Sequence, residues 1–124
     1  MHLFAAGAAV LATYLFWPLL RKLKPGSVMK AAPLIEEGAK ALAAWYFAVP
    51  IFPLHFYFGL AEALWEVGRR KPGPALAALL THTSFGLAAS WAFRWGRVAS
   101  FGAAVALHFF WNYFIYLMQG KRGI

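Results

Sequence analysis

Four short stretches carry the side chains that could do chemistry: "EEGAK" (36–40), "FGLAEALWE" (58–66), "THTSFG" (81–86) and "HFFWN" (108–112). The chain has only four acidic residues in 124, and two of them, Glu36 and Glu37, stand side by side at the head of an apolar run. Two imidazoles and a carboxylate with an open fourth position form a catalytic zinc shell. Glu62, His82 and His108 are the candidate ligands for such a Zn2+ site. A further carboxylate beside bound water can take its proton, and Glu36 or Glu37 is the candidate base, its neighbour the group that steadies it. Asn112 lies one helical turn after His108 and Glu66 one turn after Glu62, so each pair shares a helix face.

The composition says what kind of scaffold must hold these groups. Hydrophobic residues make up 62% of the chain and charged residues 13%, and the mean hydropathy is +0.59. Soluble domains carry about 25% charge, so this chain lacks the polar side chains to cover a wet surface. There are no cysteines, which excludes disulfides and thiolate-bound metal. The net charge of +8 does not point to nucleic acid, because the basic residues fall in short clusters between apolar runs. That pattern suits cytoplasmic loops and anionic lipid instead.

The expected fold is all-α: one domain over 1–124, a bundle of about five transmembrane helices. An anchor helix over 3–20, retained and not cleaved as a signal, precedes a core over 34–118. The apolar segments run from about Leu3 to Leu20, Leu34 to Val49, Leu54 to Gly68, Ala75 to Phe93 and Val98 to Met118, with Pro50 and Pro53 ending the second. Arg21, Lys22, Lys24, Lys30, Arg69, Arg70, Lys71, Lys121 and Arg122 fall on one side, and only Arg94 and Arg97 on the other. The positive-inside rule then places the N-terminus outside and the C-terminus in the cytoplasm.

With that topology the polar groups share a depth. Glu36 and Glu37 fall in the first turn of the second helix, Glu62 roughly 10 Å in, His82 roughly 12 Å and His108 roughly 15 Å, all from the cytoplasmic face. Such groups are costly in lipid, so they must face one another or an ion. Gly59 and Gly86 would let the backbones beside them approach closely. Each feature alone has a plainer explanation. Glu36 can pair with Lys40 and Glu66 with Arg70 at i+4, acids in a first turn suit the helix dipole, and a single histidine can join two helices. His55, beside the proline turn, and His2 are expected at the interface. The joint pattern at one depth favours a site.

The four motifs, in this order over residues 34–116, resemble those of the PrsW-type intramembrane proteases, within the superfamily that includes CAAX prenyl proteases and bacteriocin-processing enzymes. Glu62 stands where the CAAX branch has a histidine after Fxxx, which favours the PrsW side; the first motif departs as well, ending in Lys40 rather than an arginine. The resemblance implies an endopeptidase that cuts membrane proteins or peptides in or near the bilayer of a prokaryotic plasma membrane. It also implies a water-activating carboxylate in the glutamate pair, Asn112 as oxyanion partner, and histidines that either bind zinc or position groups without metal. The chain is smaller than family members, which suggests a homo-oligomer or a partner that helps hold substrate. A non-catalytic alternative keeps the same polar interior for metal or proton handling, or for immunity-like binding.

Overall fold

The computed structural model describes residues 1–120, and all its regular structure there is helical. Five α-helices follow in order: α1 (His2–Leu20), α2 (Pro25–Tyr46), α3 (Ile51–Gly68), α4 (Pro72–Ala92) and α5 (Arg97–Gly120), with a 3₁₀ turn at Phe93–Trp95 after α4. Three helical stretches are long and apolar enough to cross a membrane: His2–Leu20, Pro72–Trp95 and Arg97–Gly120. Lys121 and Arg122, which entered the orientation argument, lie outside the described residues.

Helix α2 starts nine residues before the expected Leu34, at Pro25. A proline at the first position costs no intrahelical hydrogen bond. Pro33 lies inside the helix and does not end it. Glu36 and Glu37 therefore sit in the middle of α2, whose first turn holds no acid, and the helix dipole does not explain them. At its other end α2 stops without a proline. Val49 N–H donates to the Ala44 carbonyl (3.0 Å) and Ala48 N–H to that of Trp45 (3.4 Å), with Ala48 at φ +51°. This is a Schellman stop, built on alanine where glycine is usual. The same stop closes α3, with Lys71 N–H on the Glu66 carbonyl, Arg70 N–H on that of Val67, and Arg70 at φ +58°. Pro50 is the N-cap of α3, and Pro53 falls in its first turn, where no N–H partner is lost. The helix thus recruits Ile51 and Phe52, which puts His55 a full turn inside it.

Alanines dominate the buried apolar positions, while large apolar side chains such as Phe4, Leu15, Leu64, Trp65, Leu87 and Phe110 point outward. Small residues between helices and large ones outside is the pattern of a bundle packed in lipid, where close backbone approach drives association. The closest pairing is α3 on α4. A Cβ at Gly59 would come within 2.7 Å of the His82 Cβ, and one at Gly86 within 2.7 Å of the His55 Cβ. The two glycines bring α3 and α4 together at the two histidines. Gly59→Ala should therefore destabilise the protein by about 1–3 kcal/mol through overpacking. Gly38→Ala, where a Cβ meets nothing within 4 Å, should be neutral or stabilising by up to about 1 kcal/mol. Thermal unfolding in detergent checks both, and equal midpoints would contradict the close approach.

Candidate functional site

Helix α2 points Glu37 and Lys40, one turn apart, into the bundle, where their side chains are fully buried. Two buried charges persist only when each is satisfied. The Lys40 ammonium donates to Glu37 Oε1 at 2.6 Å and to His82 Nδ1 on α4 at 3.2 Å, and it lies 4.3 Å from the centre of the Phe58 ring. Glu37 Oε1 also accepts from His108 Nδ1 on α5 at 2.8 Å. Its Oε2 lies 2.7 Å from His55 Nε2 on α3. One carboxylate thus gathers donors from three helices. Among the described residues every buried side-chain nitrogen and oxygen has a partner.

Two more acids stand at the margin. Glu62, with its side chain 47% exposed, accepts from His82 Nε2 at 2.8 Å. Glu36, 17% exposed, has its Oε2 3.6 Å from His108 Nε2, too far for a direct hydrogen bond and a span that water can bridge. The His82 and His108 rings lie 5.6 Å apart. The structure therefore brings Glu36, Glu37, Glu62, His82 and His108 into one cluster. Asn112 is half-buried one turn along α5. Glu66 pairs with Arg69 at 3.3 Å and not with Arg70, because Arg70 has left the helix.

Two members of the cluster were not expected. Lys40 pairs with Glu37 and not with Glu36, since i+3 is the spacing that shares the inward face of α2. His55 is no interfacial bystander: it is 1% exposed and bound to Glu37. Its signal was available in the spacing 55, 59, 62, one face of a helix. Starting that helix at Leu54 put His55 at its outer end, beside the proline turn.

The partners set the protonation of each ring. An ammonium can only donate, so His82 Nδ1 is the acceptor and its Nε2 carries the hydrogen that Glu62 accepts. A carboxylate oxygen accepts, so His108 carries a hydrogen on Nδ1, and its neutral form leaves Nε2 bare on the side of Glu36, which at 3.6 Å makes no direct hydrogen bond to it. A metal-binding imidazole needs a bare nitrogen on the metal and an acceptor behind it. His108 meets that condition. His82, with a lysine behind it, does not, and among the described residues no three acidic or histidine side chains stand in a metal-binding arrangement. The hydroxyls nearby add nothing to the cluster: Thr81, Thr83 and Ser84 each donate to a carbonyl of their own helix.

Two openings adjoin the cluster. A recess of about 10 Å3, close to the size of one water, is lined by Glu37, His55, Ser100 and Trp45 among others. An apolar groove along α4, lined by Leu76, Leu80, Phe85 and by Trp111 of α5, ends at the Phe85 ring, which stacks on His108 at 5.3 Å. No protein-family model matches the chain, and neither a curated protein nor a solved structure matches it.

Proposed function

We propose that this chain is a multi-pass membrane endopeptidase that hydrolyses peptide bonds of membrane proteins or peptides with water activated by a glutamate. The supporting observation is the unequal commitment of the twin acids. Glu37 is buried and saturated with donors, whereas Glu36 is partly exposed and faces the bare Nε2 of His108 across 3.6 Å. Glu36 is accordingly the base. A water between Glu36 and His108 gives one hydrogen to each, and its lone pair attacks the scissile carbonyl as Glu36 takes the proton. The developing oxyanion is met by the Asn112 amide, and Glu36 returns the proton to the leaving amine. Glu37 holds Lys40 and His108 in place.

The tautomers favour the metal-free version, because Lys40 commits His82 Nδ1 as an acceptor. Hydrolysis should survive exhaustive chelation. Loss of rate on chelation, restored by zinc, would return Glu62, His82 and His108 to the role of ligands. In the proposed topology α2 and α3 complete five spans around the polar centre, the N-terminus is outside, and substrate enters along the α4 groove from the bilayer. The proposal includes a homo-oligomer in a prokaryotic plasma membrane. Purified protein should cleave a membrane-spanning reporter. Glu36→Gln and Glu37→Gln, singly and together, are the test, and wild-type cleavage by the double variant would overturn the proposal.

One observation favours a second possibility, proton handling without proteolysis. His55, Glu37, Lys40, His82 and Glu62 form an unbroken series of hydrogen bonds. Acidification of vesicles by a chain that cleaves nothing would select it.

A further inference from the structure

His55 belongs to none of the four motifs, yet it is among the largest fully buried side chains. Its ring faces an acceptor on each side. The Ile51 carbonyl oxygen lies 3.1 Å from Nδ1 and Glu37 Oε2 lies 2.7 Å from Nε2. Neither a peptide carbonyl nor an ionised carboxylate donates, so both ring nitrogens do. The Ile51 contact, one turn back along α3, aims the ring, and Nε2–H delivers a donor to Glu37.

We propose that His55 is a positioning residue that acts through Glu37 to hold His108 in the one tautomer that turns a bare nitrogen toward Glu36. This rests on the peptidase proposal, in which Glu36 and His108 share the attacking water. Glu37 Oε1 carries two donors, Lys40 and His108, and Oε2 carries one, His55. Without the Nε2–H, Oε2 becomes a bare acceptor in a site 1% exposed. An unmet buried acceptor recruits any donor within reach. The carboxylate then turns so that Lys40 serves both oxygens, and Oε1 leaves His108 Nδ1. With no acceptor behind it, His108 no longer has one preferred tautomer. The position of His55 is itself set by α4, because its Cβ rests against Gly86.

Two near-isosteric substitutions separate this role from simple packing. A glutamine amide nitrogen reaches about as far as Nε2, and an asparagine amide about as far as Nδ1. His55→Gln keeps the donor on Glu37 and His55→Asn loses it. The probe is ¹⁵N NMR of histidine side chains in the detergent-purified full chain, which has four histidines to assign. His108 should show Nδ1–H with a bare Nε2 in the wild type and in His55→Gln, and a mixture of tautomers in His55→Asn. Reporter cleavage should fall about 10- to 100-fold in His55→Asn and less in His55→Gln. Gly86→Ala keeps every histidine but presses on the His55 Cβ, and should mix the tautomers as well. The proposal is overturned if both His55 variants scramble His108 alike, or if neither His55→Asn nor Gly86→Ala changes it. The expected tautomer shifts in a protein that cleaves nothing would uphold the positioning role and remove the peptidase.

Discussion

Lys40→Met should be the most damaging single substitution for stability, at about 3–5 kcal/mol. Methionine fills nearly the same volume, so the cost is electrostatic and not a cavity. Removing the ammonium takes one of two donors from Glu37 Oε1 and, among the described residues, the only donor from His82 Nδ1. Both groups are buried, and water cannot replace what is lost. Lys40→Arg should also fail. A guanidinium is wide and planar, while the lysine nitrogen is closed in by Glu37, His82 and the Phe58 ring. A midpoint shift in thermal or SDS unfolding measures the effect. Wild-type stability in Lys40→Met would mean that Glu37 is not held as described.

Glu36→Gln and Glu37→Gln should part company, one losing rate and the other losing the fold as well. Glu36 has no direct hydrogen bond to His108 at 3.6 Å and is partly exposed, so its amide should leave the unfolding midpoint within about 0.5 kcal/mol of wild type. Gln cannot take a proton from water, and removal of a positioned base costs about 10²–10⁴ in rate. At Glu37 the amide offers one acceptor oxygen where the carboxylate offers two. Its NH₂ faces the donors of Lys40, His108 or His55 whichever way it turns. That mismatch should cost about 1–3 kcal/mol and disorder the site with it. Cleavage and unfolding measured on the same preparations decide the matter. The reverse assignment, Glu37 as the base, requires Glu36→Gln to cleave normally.

Much of the site could be read from residue types because ionisable groups in a chain this apolar must find one another. Glu62, His82 and His108 met for that reason, and Gly59 and Gly86 marked where α3 and α4 close up. What could not be read depended on helix ends. Prolines at the start of helices look, in sequence, like prolines that stop them. Pro33 and Pro53 both sit inside helices, and misplacing those ends hid His55 and put the glutamates in a first turn they do not occupy. The choice between Glu36 and Glu37 was also closed to sequence alone, since it turns on which of two side chains about 100° apart points inward. The Lys40–His82 bond was equally hidden. It joins residues 42 positions apart on two helices, and it bears on whether His82 can bind a metal.

The alanine core has a consequence for how the bundle chooses its alignment. The buried face of α4 is mostly alanine, and much of it looks the same after a shift of one turn along α3. The polar cluster is what such slippage cannot survive: about 5.4 Å of travel would carry His82 away from Lys40 and Glu62 and out of the notch at Gly59. The groups proposed to cut peptides are thus also the ratchet that makes an otherwise sliding bundle click into one place.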